Sequence, residues 1–187
     1  VLTLQNHGGG AWSVPREWAT NFAEQGFLSM AINTHDVDNG LEQRRYDDLN
    51  RGALDSYTLH GFLDREDYYF KAVYTRLVRA IDYLTNLSEW DGKTLILTGR
   101  SQGGGLTLVG SGLDDRVTGM VCAVPAMCEH GGHKFGRPAG WPRFVPNDEH
   151  NYGKGWEYAE TGNGHGPVSR PVWEVSRYYD AVNFARR

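Results

Sequence analysis

The sequence predicts an α/β fold, a mostly parallel sheet with helices on both faces. Three observations lead there. Short apolar, β-prone runs at 1–6, 27–33, 94–98 and 117–124 alternate with helix-compatible segments. Strand, helix, strand in succession implies a right-handed crossover and parallel pairing. The run at 94–98 leads directly into Gly99-Arg-Ser-Gln-Gly103, with a helix-compatible stretch behind it.

That last stretch organises the chain. Gly99-Arg100-Ser101-Gln102-Gly103 fits G-x-S-x-G, the sharp strand-to-helix turn of α/β hydrolases. A serine on such a turn sits in a strained backbone conformation, and the positions two residues either side crowd together. Only small residues fit there, hence Gly99 and Gly103. The turn lifts the serine oxygen clear of the sheet and aims the next helix's first N–H groups at the same spot. With 24 Gly in 187 residues the pattern alone is modest support, and the strand before it adds the context it needs.

Composition bounds the rest. One domain spanning 1–187 can bury a sizeable core. Hydrophobic content of 40% and charged content of 22% are ordinary for a globular chain. A net charge of −4 argues against nucleic acid or an anionic membrane as the main partner. No apolar run approaches a membrane span. Cys122 and Cys128 read as two ordinary thiols and leave the compartment open.

From the start, 1–6 is a strand, followed by the glycine loop His7-Gly-Gly-Gly10. Such a loop lets backbone approach a ligand and turns N–H groups inward, as the oxyanion loops of esterases do. His7 reads as a brace for that loop. Ser13 is the expected cap of a first helix, with Pro15 and Glu17 in its first turn, Trp18 and Phe22 on its apolar face and Gly26 as its stop. The strand at 27–33 is mostly apolar and expected to be buried. Residues 34–66 form a long polar stretch, in which His35, Asp36 and Asp38 read as solvated loop charges. The clearest helix is 67–87, with Tyr69, Val73, Leu77, Ala80, Ile81 and Leu84 at helical spacing. Trp90-Asp-Gly-Lys93 turns into the central strand.

Past the elbow, Leu106 to Val109 continues the helix, and Leu113-Asp-Asp-Arg116 ends it. A buried strand at 117–124 closes on Pro125. Residues from about 129 to 171 are rich in Gly, His, Trp, Asn and Pro and lack periodicity. They read as an irregular insertion over the strand ends, where open α/β sheets bind ligands. His130, His133, His150 and His165 match no tight ligand spacing, so no metal and no cofactor is expected. A closing helix is expected at 173–187, with Val175, Tyr178, Tyr179, Val182 and Phe184 as its apolar content.

Several stretches together resemble the acetyl xylan esterase/cephalosporin-C deacetylase family. They are Gly61-Phe-Leu-Asp-Arg-Glu-Asp-Tyr-Tyr-Phe70, Gly99-Arg-Ser-Gln-Gly-Gly-Gly105, Leu113-Asp-Asp-Arg-Val117, Val124-Pro125 and Tyr179-Asp-Ala-Val-Asn-Phe-Ala185. The resemblance implies an α/β-hydrolase fold and deacetylation of O-acetylated carbohydrates through an acyl-enzyme. Ser101 would be the nucleophile. The backbone N–H groups of Gln102 and Gly9 would form the oxyanion hole. The partner is then a small-molecule or oligosaccharide ester, and a homo-oligomer stays open. The stretch at 129–171 departs from the family's helical segment.

The family's catalytic Asp and His follow the Tyr-Asp-x-x-Asn-Phe-Ala motif. The resemblance therefore places them beyond Arg187, and the chain is expected to be an internal stretch of a longer enzyme, incomplete at both ends of the fold. Within 1–187 the acid candidates after Ser101 are Asp114, Asp115, Asp148 and Asp180. Asp148 with His150 or His165 keeps the order Ser, Asp, His. Two other functional classes share these features: a serine peptidase of the prolyl oligopeptidase type, and a non-catalytic carbohydrate-binding protein on a decayed hydrolase fold.

Overall fold

A computed structural model describes residues 1–4, 12–142, 145 and 170–185. Strands β1 (Leu2–Leu4), β2 (Met30–Ile32), β3 (Ile96–Arg100) and β4 (Gly119–Ala123) form one sheet in the order β2-β1-β3-β4, parallel at every pairing. Helices α1 (Glu17–Ala23), α2 (Gln43–Arg51), α3 (Tyr69–Thr85), α4 (Gln102–Leu113) and α5 (Arg170–Tyr179) connect and cover it. The expected α/β architecture is thus present, with β1, β2 and β4 shorter than their apolar runs and β3 displaced two residues toward the elbow.

The order places the site. The chain begins in β1, moves out to β2 on one side, then crosses to β3 on the other. The point between β1 and β3 is a topological switch point, where open α/β sheets leave a crevice beyond the strands' carboxyl ends. Leu4, the last residue of β1, stands in register with Gly99. The end of β1 therefore lies beside the start of the elbow.

The core lies between the sheet and α3 and α4. Leu2, Leu4 and Leu97 of the sheet are fully buried, as is Leu95 just before β3. Helix α3 buries Val73, Leu77, Ala80, Ile81 and Leu84, as the spacing predicts, and Phe70 and Tyr74 besides. Each of the larger side chains, Val73, Leu77, Ile81, Leu84 and Phe70, contributes about 1.5–3 kcal/mol on burial. Helix α4 runs unbroken through Gly110-Ser-Gly112 to Leu113. A Cβ at Gly110 would lie 2.5 Å from Leu97 Cδ1, so glycine there lets α4 press onto the sheet. The end of α4 is tied down by Leu113-Asp-Asp-Arg-Val117. The Arg116 guanidinium donates to the Asp114 carboxylate and to Thr85 Oγ1 of α3, at 2.6–2.9 Å, and pairs with Asp82.

Several expectations need correction. Ser13 does not cap α1, which starts at Glu17 with no side-chain cap, and Ser13 Oγ accepts from the Gly40 N–H at 3.1 Å instead. No residue of α1 is buried. Strands β2 and β4, expected to be buried, end the row of described strands, and their side chains are only partly covered. Val121 is 61% exposed. The stretch 34–66 is not all loop. It holds α2, whose one buried residue is Tyr46, and a 3-10 turn at Tyr57–Leu59. A single buried residue in a charged nonamer leaves no periodicity to read. The closing helix stops at Tyr179, and Asp180 then caps a separate 3-10 turn, Ala181–Phe184, by accepting from the Val182 N–H.

Candidate active site

Ser101 joins β3 to α4 with φ 54° and ψ −118°. Such a left-handed conformation costs a non-glycine residue about 1–3 kcal/mol and persists only when its surroundings over-determine it. Three backbone hydrogen bonds do so. The Ser101 N–H donates to the Ala123 carbonyl at 3.0 Å, and the Ser101 carbonyl accepts from the N–H groups of Gly105 (3.0 Å) and Ala126 (2.9 Å). The crowding expected two residues either side is present. A Cβ at Gly99 would lie 2.9 Å from Gly103 Cα and closer still to the Gly103 carbonyl. Gly104 and Gly105 are used in the same way. They press on the end of β4 and the backbone just after it, where a Cβ would strike the carbonyl oxygens of Ala123 and Ala126.

Helix α4 opens at Gln102, and its first internal hydrogen bond comes from the Gly105 N–H. The N–H groups of Gln102, Gly103 and Gly104 have no acceptor within the helix and sit at its positive end. Among the described residues no hydrogen bond involves Ser101 Oγ. Gly9 and the rest of His7-Gly-Gly-Gly10 lie outside the described residues.

The Gln102 side chain is fully buried. Its Oε1 accepts from the Tyr57 hydroxyl at 2.6 Å, and its Nε2 donates to Thr34 Oγ1 at 3.4 Å. His35, expected to be solvated, is 4% exposed. Its Nδ1 lies 2.7 Å from the Tyr69 hydroxyl, and its ring meets Tyr57 edge-on at 4.7 Å. Burial pushes Tyr69 up to about 12, and burial followed by Tyr69 pushes Tyr57 higher still, so both hydroxyls keep their protons. Asp36 is exposed and lies 3.5 Å from Arg76, and the Asp38 carbonyl accepts from the Tyr46 hydroxyl. Trp141 packs on Tyr57 and Phe70.

The described acid candidates are engaged elsewhere. Asp114 serves Arg116 at the far end of α4, about 18 Å of helix from Ser101. Asp115 is exposed on the same turn. Asp180 is 7% exposed and gives both carboxylate oxygens to backbone. It accepts from the N–H groups of Glu129 (2.8 Å), His130 (2.9 Å) and Val182 (3.1 Å). Asp148, His150 and His165 lie outside the described residues, as does the side chain of His133. Cys122 and Cys128 are free, and burial first of all pushes the Cys128 thiol up to about 11.

His130 is buried under α5, with Nδ1 3.3 Å from the Ser176 carbonyl. Burial lowers its basicity below the ordinary histidine value, against the opposing pull of Asp180. The unfolded chain takes up a proton near pH 6.5 while the folded protein does not. This contribution is therefore complete above about pH 6.5 and is lost as pH falls toward the lowered value. Thermal melts are expected to drop between pH 7 and pH 5, with a shallower drop in His130→Gln. Equal slopes in both proteins would remove His130 from the account.

Sequence reasoning missed Tyr57, Thr34 and His35 because residues from three distant segments meet only in the fold. Asp180 had a local signal, an Asp directly before a short turn.

The chain has recognisable relatives. The family model for acetyl xylan esterase (AXE1) matches residues 3–187. The acetyl esterase Axe7A of Xylanibacter ruminicola is 37% identical over 172 residues, covering 90% of this chain and 35% of that protein. The solved acetyl xylan esterase from Paenibacillus sp. R4 shares the fold at a TM-score of 0.60 and 21% identity, over 98% of this chain and 54% of that one. The chain thus spans little more than a third of the first relative's length and just over half of the second's. With a family match running almost from end to end and an elbow of the geometry above, the chain belongs to the acetyl xylan esterase family.

Proposed function

We propose that the protein is a serine esterase that removes acetyl groups from O-acetylated carbohydrates. The backbone of Ser101 carries the reading: φ 54° on a strand-to-helix turn, held by three hydrogen bonds and crowded by Gly99 and Gly103. Family membership supports the acetyl group and, by the family's name, xylan as the class of carrier, and the 37% identical relative is named an acetyl esterase.

In this reading Ser101 Oγ attacks the acetyl carbonyl carbon and gives its proton to a histidine base. The carbonyl oxygen becomes an oxyanion held by the N–H groups of Gln102 and Gly9, at the positive end of α4. Collapse breaks the ester bond, and the sugar oxygen leaves with the proton from the base. Water then attacks the acetyl-serine by the same route and releases acetate. The base and its acid partner lie outside the residues described, following the order Ser, Asp, His.

The test is labelling of the full-length protein with a fluorophosphonate, read by intact mass beside Ser101→Ala, together with acetate release from acetylated xylo-oligosaccharides. One adduct that the variant lacks is expected, with acetate release falling about 10³-fold or more. Unchanged acetate release in Ser101→Ala would overturn the assignment. Peptide cleavage without acetate release would move the protein to the peptidases. Sugar binding with no hydrolysis would leave a binding protein on a hydrolase fold.

A further inference from the structure

An oxyanion donor at position 102 needs only a backbone N–H, yet residue 102 is a glutamine whose side chain is wholly buried. A buried amide costs free energy unless its hydrogen bonds are made. Here they join the elbow to two other segments. Tyr57 lies in the 3-10 turn Tyr57–Leu59 and donates to Gln102 Oε1 at 2.6 Å. Thr34 stands just past the end of β2 and accepts from Gln102 Nε2 at 3.4 Å. Both are themselves buried, Thr34 completely and Tyr57 at 5% exposure. The Tyr57 ring is fixed in turn by His35, Tyr69 and Trp141, with ring centroids 4.7, 5.1 and 6.4 Å away.

We infer that Tyr57 is a positioning residue: its hydroxyl, acting through the Gln102 side chain, fixes the direction of the Gln102 N–H toward the oxyanion. The inference rests on the esterase reading above and extends it to a residue 44 positions upstream of the nucleophile. Its physical basis is the narrow geometry of oxyanion stabilisation. A donor must stand about 2.7–3.1 Å from the place the charged oxygen will occupy, and losing one costs about 10²–10³ in rate. The Gln102 N–H shares its peptide plane with the Ser101 carbonyl, which the N–H groups of Gly105 and Ala126 hold at one end, and the buried Gln102 side chain anchors the other end at its Cα. The chemistry at Tyr57 suits the task. Burial and Tyr69 keep the hydroxyl protonated, so it remains a donor at every working pH.

Tyr57→Phe tests this in the full-length protein, because it keeps the ring packing and removes only the donor. The readouts are kcat and KM for an acetyl ester and the affinity of a small alkyl boronic acid, whose adduct with the serine imitates the charged intermediate. The expected result is kcat down about tenfold, KM within twofold, and boronate affinity down by the same factor as kcat. The loss should vanish in a Gln102→Met background, where the hydroxyl has no amide to hold. If Tyr57→Phe does not fold, Thr34→Val removes the other bond to the amide and is expected to lower kcat about threefold at constant KM. A rise in KM with kcat unchanged, or a fall in kcat with boronate affinity intact, would overturn the inference. So would equal losses in the wild-type and Gln102→Met backgrounds. Full turnover by Ser101→Ala is a separate outcome, and it would remove the esterase reading together with this one.

Discussion

Gly99→Ala is expected to abolish the native elbow. Its Cβ would lie 2.9 Å from Gly103 Cα and closer still to the Gly103 carbonyl, and both obstacles are backbone atoms. No rotamer change relieves them. Relief requires β3 and the start of α4 to separate, which breaks the Ser101–Ala123 and Ser101–Ala126 hydrogen bonds. Overpacking in a core that can adjust costs about 1–3 kcal/mol. A clash with fixed backbone, added to a left-handed serine, is expected to exceed about 3 kcal/mol and to leave little folded protein. Urea denaturation followed by circular dichroism measures it. A loss under about 1 kcal/mol would show that the turn is looser than its geometry implies. Loss of activity alone would not separate this effect from the chemistry, so stability is the quantity to read.

The second large effect is expected at Asp180, some eighty residues from the elbow in sequence but two hydrogen-bonded steps away in space. Three left-handed non-glycine residues follow β4: Val124, Met127 and Glu129, at φ 40°, 64° and 57°. Each costs about 1–3 kcal/mol unless held. The segment is held from both sides. Ala126 donates to the Ser101 carbonyl, while Met127 donates to the Trp141 carbonyl and accepts from the Ala181 N–H, both at 2.8 Å. Asp180 accepts from the N–H groups of Glu129 and His130, and Glu129 also pairs with Arg137. Asp180→Ala leaves the backbone N–H of the left-handed Glu129, and those of His130 and Val182, without their acceptor. The expected cost is about 3 kcal/mol or more, with Asp180→Asn milder because one oxygen survives. Equal urea midpoints for wild type and Asp180→Ala would refute the clamp. Because Ala126 and Ser101 share a hydrogen bond, Asp180→Asn is also expected to slow fluorophosphonate labelling of Ser101.

Much of the fold and the centre of the site are legible locally. Helix α3 follows from apolar residues at helical spacing, since a stripe on a helix must be buried. The elbow follows from five residues, because its steric rule acts within one turn of chain. Gly99, Ser101 and Gly103 therefore announce it without reference to anything distant. Even Gly104 and Gly105, poor helix formers, signal a close approach before the surface they approach is known.

What only the tertiary structure decided involves contacts between segments far apart in sequence. An apolar run reads as buried whether or not a neighbouring strand covers it, which is why β2 and β4 looked internal and are not fully covered among the described residues. A histidine in a polar stretch reads as solvated until the chain folds over it, as it does over His35. Buried polar clusters carry no periodicity, so Thr34, Tyr57 and Gln102 declare nothing singly. Their meaning lies in hydrogen-bond geometry that exists only once three segments meet. Local sterics and hydrophobic spacing determined the elbow and the main helix. Burial and long-range hydrogen bonding determined what holds the elbow in place.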